Sequence, residues 1–183
     1  MTVLTSQSAV AAAAEPQAPE PPQTLRVEVP MTGGSFDPDV AEANGFRIVT
    51  DEAGTRSEPV TAEAQALVAE SSSASTFDSA VGNCGHAWLN GSKGNLDTVN
   101  FTTGYSVRLP VQGHQWRVQA AGFITSGEKN YAQGAGPGVW STHDSTVAIG
   151  PGFAIVPAFS PVAMAILVDG EECYSGGPSF TFG

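Results

Sequence analysis

Between Asn100 and Ile124 the chain alternates apolar and polar side chains with a period of two. Tyr105, Val107 and Leu109 share a face of the first run, and Trp116, Val118 and Ala120 share a face of the second, opposite Gln115, Arg117 and Gln119. Successive side chains on a pleated strand point to opposite faces, so both runs predict half-buried strands, the second continued by Phe123 and Ile124. Cys84–Asn90 predicts another, with His86, Trp88 and Asn90 on one side and Ala87 and Leu89 on the other. Trp140 opens a strand region reaching Val147 and Ile149; Phe153–Val156, Val162–Val168 and Ser179–Phe182 complete the series. Turns are expected at Gly91–Gly94, Pro110–Gly113, Gly150-Pro151-Gly152 and Asp169-Gly170, where Gly, Pro and Asp favour reversal. Thr125–Gly138 holds Gly127, Gly134, Gly136 and Gly138 and no apolar period, and reads as a long loop. About seven short strands separated by such turns predict an all-β fold, a small antiparallel β-sandwich in an immunoglobulin-like or barrel-like variant.

Upstream the pattern weakens. Glu15–Pro22 favours an extended, polyproline-like spacer. Leu25–Val29 alternates and predicts one short strand ended by Pro30, with Gly33-Gly34 as a break. Asp37 is a good N-cap, Pro38 suits the first helical position and Gly45 suits the C-terminal stop, so one small helix is expected between them. Phe46–Thr50 is a candidate strand, Asp51–Gly54 a turn, Thr61–Glu70 a short Ala- and Glu-rich helix and Ser71–Ser75 a hinge. These elements are short and weakly apolar. The division expected is therefore residues 1–75 as a largely flexible acidic arm, removable without unfolding the rest, and residues 76–183 as the folded β domain.

Charge sharpens that division. The 183 residues carry seven basic against eighteen acidic side chains, a formal net charge of -11, and eleven of the acids lie in residues 1–70 against three arginines. Such a chain repels a phosphate backbone and an anionic membrane, so nucleic acid is excluded as a partner class. No run of about twenty apolar residues predicts a transmembrane segment. Val10–Ala14 before Glu15-Pro16 has the small residues that precede a signal-peptide cleavage site, although the polar Thr2–Ser8 fits an Ala-rich tail equally. The only two cysteines, Cys84 and Cys173, bracket the strand-rich region. They are expected to be disulfide-bonded in an exported chain, secreted or associated with the cell envelope, the alternative being two separate buried thiols. Trp116 between them resembles the tryptophan packed near an immunoglobulin disulfide.

Phe36-Asp-Pro-x-Val-Ala…Gly45, Cys84-Gly85, Thr103-Gly104-Tyr105, Trp116-Arg-Val118, Gly170-Glu-Glu-Cys173 and Ser175-Gly-Gly-Pro178 together resemble small exported disulfide-containing β proteins of high-GC Gram-positive bacteria. The resemblance implies export, the disulfide and the β domain. It carries no catalytic residue with it.

Candidate chemistry is sparse. His86, His114 and His143 match no metal-ligand spacing, no cofactor motif is present, and Gly-x-Ser-x-Gly is absent. Asn90-Gly-Ser92 and Asn100-Phe-Thr102 have the form of glycosylation sequons. Ser141-Thr-His143-Asp144 sets hydroxyl, imidazole and carboxylate close in sequence, which defines the alternative reading: a small secreted hydrolase using His143 as base with Asp144 and Ser141. The leading expectation is a non-enzymatic module that is structural or binds a protein or a glycan. Its face is formed by Tyr131 and Trp140 with Lys129 and Asn130, on the polar segment where no core face is evident.

Overall fold

The structure is a computed structural model and describes residues 28–74, 84–158 and 162–183. In order the elements are β1 (Glu28–Phe36), α1 (Pro38–Ala43), β2 (Phe46–Asp51), β3 (Gly54–Pro59), α2 (Ala62–Ala74), β4 (Gly85–Lys93), β5 (Thr98–Val107), β6 (Val111–Gly122), β7 (Ser126–Gln133), β8 (Val139–Val147), β9 (Gly152–Ile155), β10 (Met164–Leu167), β11 (Glu171–Tyr174) and β12 (Ser179–Phe182). The fold is all-β with antiparallel pairing throughout these strands. The main sheet runs β12-β9-β6-β10-β11-β1-β4-β5-β8, with β7 added to β6, and β2 and β3 form a separate hairpin.

β6 organises the sheet. One edge pairs with β7 over His114–Ala121; the other pairs with β10 through Val111–Gln115 and with β9 through Gln119–Gly122. Its inward residues Trp116, Val118 and Ala120 are buried, as are Val99, Phe101, Thr103, Tyr105 and Val107 of β5. The alternation read from these two strands therefore faces one core, completed by Met31, Leu89, Val156 and Leu167. β12 covers one end of that core: the Phe180 ring lies against Gly91 of β4, and Lys93 stands 5.6 Å from the centroid of the Phe182 ring.

The sheet curls until β7 lies beside β8, in the manner of the barrel-like variant. At one end of this seam the backbones nearly touch. A methyl group added at Gly127 would stand 2.6 Å from the Val147 carbonyl oxygen, closer than real Cβ atoms come, so only glycine fits. Farther along, side chains bridge the seam, with the Tyr131 hydroxyl donating to Asp144 Oδ2 at 2.9 Å.

Cys84, immediately before β4, is bonded to Cys173 of β11, with Cα atoms 5.9 Å apart and a sequence separation of 89. β1 joins the same two strands. Its first half pairs with β4 (Met31 opposite Gly85), and its second half pairs with β11 (Gly33 opposite Cys173).

The position of β1 corrects the domain boundary expected at residue 76. Glu28–Phe36 continues through Pro30 and Gly33-Gly34 as an integral strand, and Ala41, Phe46 and Ala64 belong to the main core. The proline is accommodated where it faces His86 of β4, and the register shifts between Gly33 and Phe36, an irregularity that an extended strand tolerates. The first 27 residues and 75–83, which include the start of the expected arm and the last hinge residue, lie outside the described residues, as do 159–161.

The small helix forms as its signals predict: Asp37 Oδ1 accepts from the Asp39 and Val40 amides, and Gly45 beyond it has φ +78°. α2 extends past Glu70 to Ala74. Four other expectations change. The Gly91–Gly94 turn moves to Asn95–Thr98, where Leu96 and Asp97 both take positive φ, the signature of a type I′ hairpin turn. Val111–Gly113 lies inside β6, so that turn ends at Pro110. Phe123 and Ile124 leave the strand and are 89% and 70% exposed at the β6–β7 turn. The expected long loop at Thr125–Gly138 holds β7, because eight consecutive partners on β6 hydrogen-bond one edge of its backbone although its side chains are mostly polar.

Candidate functional site

Strand register assembles an aromatic cluster from residues distant in sequence. Tyr105 of β5 lies opposite Trp140 of β8, and Trp116 of β6 lies opposite Tyr131 of β7. The curl of the sheet brings the pairs together. The Trp140 ring centroid is 5.8 Å from Tyr105, 6.2 Å from Trp116, 5.5 Å from Tyr131 and 4.5 Å from His114. These tilted and edge-on contacts lie in the favourable range for ring pairs.

Buried polar atoms hold the rings. Trp116 Nε1–H donates to Thr103 Oγ1 at 2.9 Å, and the Thr103 hydroxyl donates to the Trp88 carbonyl at 3.0 Å. The Tyr105 hydroxyl and His114 Nδ1 are 2.7 Å apart. Tyr105 is fully buried and His114 is 5% exposed, while Trp140 and Tyr131 are half-buried at the surface of the cluster. Burial pushes the Tyr105 hydroxyl up from its usual pKa and pushes the His114 imidazole down, so both groups are neutral at pH 7.

Two adjoining clefts open beside the cluster. One, of about 390 Å³, is lined by Tyr105, His114, Gln133, Val139, Trp140 and the 134–137 segment. The other, of about 410 Å³, is lined by His114, Gln115, Gln133, Gly134, Met164 and Ile166 among others. No Asp, Glu, Lys or Arg lines either cleft. Both sizes fall within the span of about 300–1,000 Å³ usual for small-molecule sites.

Of the residues singled out in the sequence, Tyr131, Trp140 and Lys129 converge on the seam. Lys129 Nζ is 3.1 Å from Asp144 Oδ1, and Tyr131 donates to the other carboxylate oxygen. Burial raises the Asp144 pKa, but the Ser145 amide, Lys129 and Tyr131 together outweigh it and hold the carboxyl below its ordinary value. Burial, then the hydrogen bond to Asp144, raises the Tyr131 hydroxyl. Asn130 faces outward, bridging Arg117 Nε at 2.7 Å and Glu128 Oε1 at 3.0 Å.

The alternative residues are not brought together as a triad. Ser141 and His143 are exposed on the outer face of β8, while the Asp144 carboxylate turns to Tyr131 and Lys129. His143 Nδ1 lies 3.2 Å from the Thr102 hydroxyl. The histidines occupy three separate settings, since His86 Nε2 lies 3.3 Å from a Glu28 carboxylate oxygen on β1. Among the described residues no group of three or more His, Cys, Asp or Glu side chains is arranged to hold a metal ion.

Two features escaped the sequence reading. His114 is in phase with Trp116, Val118 and Ala120, and extending the period of two by one residue would have turned it inward. The second is an ion cluster of Arg108, Asp169 and Glu171. Asp169 is 0% exposed; Arg108 donates to it and to Glu171, Ser57 Oγ donates to it at 2.6 Å, and its other oxygen accepts from the Glu171 amide at 3.1 Å. Burial raises Glu171 despite the Arg108 charge. No local motif announces this cluster, because Arg108 stands 61 and 63 positions from its two carboxylate partners.

No family model matches the chain, and no curated protein or solved structure matches it either.

Proposed function

We propose that the chain is an exported, non-catalytic module that binds a neutral glycan at the Trp140 face. The observation that carries this reading is Trp140 itself, a half-buried indole fixed between Tyr105, His114 and Tyr131 beside a cleft with no ionised side chain. An apolar ring face stacks against the C–H face of a sugar, and neighbouring neutral donors and acceptors take its hydroxyls. Catalysis by His143 lacks support: its ring faces outward to a hydroxyl on β5, away from the cleft. Tyr131 braces the site, since its hydroxyl is committed to Asp144 across the seam. The disulfide and the absence of a helix long and apolar enough to cross a membrane, among the described residues, are compatible with export.

The test is calorimetric titration of the full oxidised chain with a panel of neutral trisaccharides, including cellotriose and triacetylchitotriose. Trp140→Ala is expected to weaken any binding at least tenfold, and Tyr131→Phe, which keeps the ring, to weaken it little. Equal affinity of wild type and Trp140→Ala would refute the site. Failure of every sugar to bind would refute the glycan reading.

A further inference from the structure

We infer that His114 is the polar recognition group of this site, presenting Nε2–H as a hydrogen-bond donor to an oxygen of an uncharged sugar ring. The inference rests on the glycan-binding reading and adds to it a residue, a tautomer and a charge preference.

The tautomer follows from counting protons. Tyr105 is fully buried, and its hydroxyl proton needs an acceptor; among the described residues the one in reach is His114 Nδ1 at 2.7 Å. If Tyr105 donates to Nδ1, the neutral imidazole carries its proton on Nε2, and a single group, Nε2–H, lacks a partner. If Nδ1–H donated instead, both the tyrosine proton and the Nε2 lone pair would be unpartnered. One orphan costs less than two, since each unsatisfied buried polar group loses its hydration without replacement. His114 Nε2 is indeed buried without a hydrogen-bond partner among the described residues.

An unpartnered buried donor is uncommon and calls for an explanation. Here the residue bearing it borders both clefts, which share His114, Gln133 and Gly134. Nε2 is shielded from solvent, so contact with it requires neighbouring side chains to swing aside. The Trp140 ring centroid lies 4.5 Å from that of His114, so the indole that would stack on a ligand stands beside the donor. The acceptor it meets must be neutral, because no cation lines either cleft to offset a buried carboxylate. A pyranose meets both demands, with an apolar face for Trp140 and hydroxyl or carbonyl oxygens for Nε2–H.

The experiment uses the full oxidised chain with ¹⁵N-labelled histidine. Long-range proton–nitrogen spectra are expected to assign His114 to the Nε2–H tautomer, and the neutral trisaccharide that binds best should shift the Nε2 resonance. An otherwise matched anionic probe, trigalacturonate, is expected to leave it unmoved. The double variant Tyr105→Phe/His114→Phe removes donor and acceptor together, which leaves neither ring with an unpaired polar atom, and should weaken the neutral sugar about five- to tenfold. Three results overturn the inference while leaving the Trp140 face standing: the Nδ1–H tautomer, undiminished affinity of the double variant alongside loss of binding in Trp140→Ala, or tighter binding of trigalacturonate. Failure of all the neutral sugars to bind overturns both readings.

Discussion

Two buried polar sites show what single residues contribute. Asp169 is entirely enclosed and relies on Arg108, Ser57 and the Glu171 amide. Arg108→Leu leaves that carboxylate without its counter-ion. Breaking a buried pair by removing one partner costs about 3–5 kcal/mol, and the partial exposure of the arginine reduces this to about 2–3 kcal/mol. Urea unfolding should show the loss, with Arg108→Lys recovering only part because an ammonium cannot serve two carboxylates as a fork does; an unchanged midpoint would contradict the cluster's role. His114 makes a prediction in pH. Its folded pKa lies below the unfolded value of 6.5 because burial disfavours the cation. The unfolded chain therefore takes up the proton first. The contribution of His114 is fully present above pH 6.5 and is lost as pH falls through the lower folded pKa. Thermal melts between pH 8 and 5 should fall more steeply for wild type than for Tyr105→Phe/His114→Phe, and parallel curves would remove His114 as the source.

At the scale of elements, legibility followed side-chain contrast. β5 and β6 alternate large apolar with polar residues and were readable; α1 was readable from Asp37, Pro38 and Gly45, whose roles are set by local backbone chemistry. β7 was not, because Ser126–Gln133 offers Tyr131 as its single large hydrophobe and is held by backbone pairing to β6. Backbone pairing leaves no mark in composition. The same omission hid the candidate site: with β7 read as a loop, Tyr131 seemed free, whereas its strand sets it opposite Trp116 and beside Trp140. The seam gives the test. Gly127→Val thrusts a branched side chain into Val147 and should force β7 from β8. A cost of about 1–3 kcal/mol is expected from overpacking, together with faster amide exchange in β7 and β8 than in β4. Exchange that rises equally in all strands would argue against a local seam.

For the whole molecule the decisive question is what joins its halves. β4, β5 and β8 form one paired set; β6, β7, β9, β10, β11 and β12 form another; and among the described residues β1 is the strand whose ladders link them. The Cys84–Cys173 bond spans the same junction. Strand and crosslink are thus two clasps on one joint. The crosslink closes a long loop, which on chain entropy alone is worth about 4–5 kcal/mol. β1 contributes hydrogen bonds to both halves and the fully buried Met31. The sequence hid this because Pro30 and Gly33-Gly34 look like breakers, while the cysteines drew the boundary at the crosslink. Chains beginning at residue 28 and at residue 37 separate the two roles. The first is expected to melt as the full chain does. The second loses β1 and should melt at least ten degrees lower when oxidised, a shift consistent with a loss of several kcal/mol in a domain of this size. With reductant present it loses both clasps and should show no cooperative transition. If the chain from residue 37 melts like the full chain in both conditions, β1 is an accessory strand and packing across the barrel core alone holds the halves together.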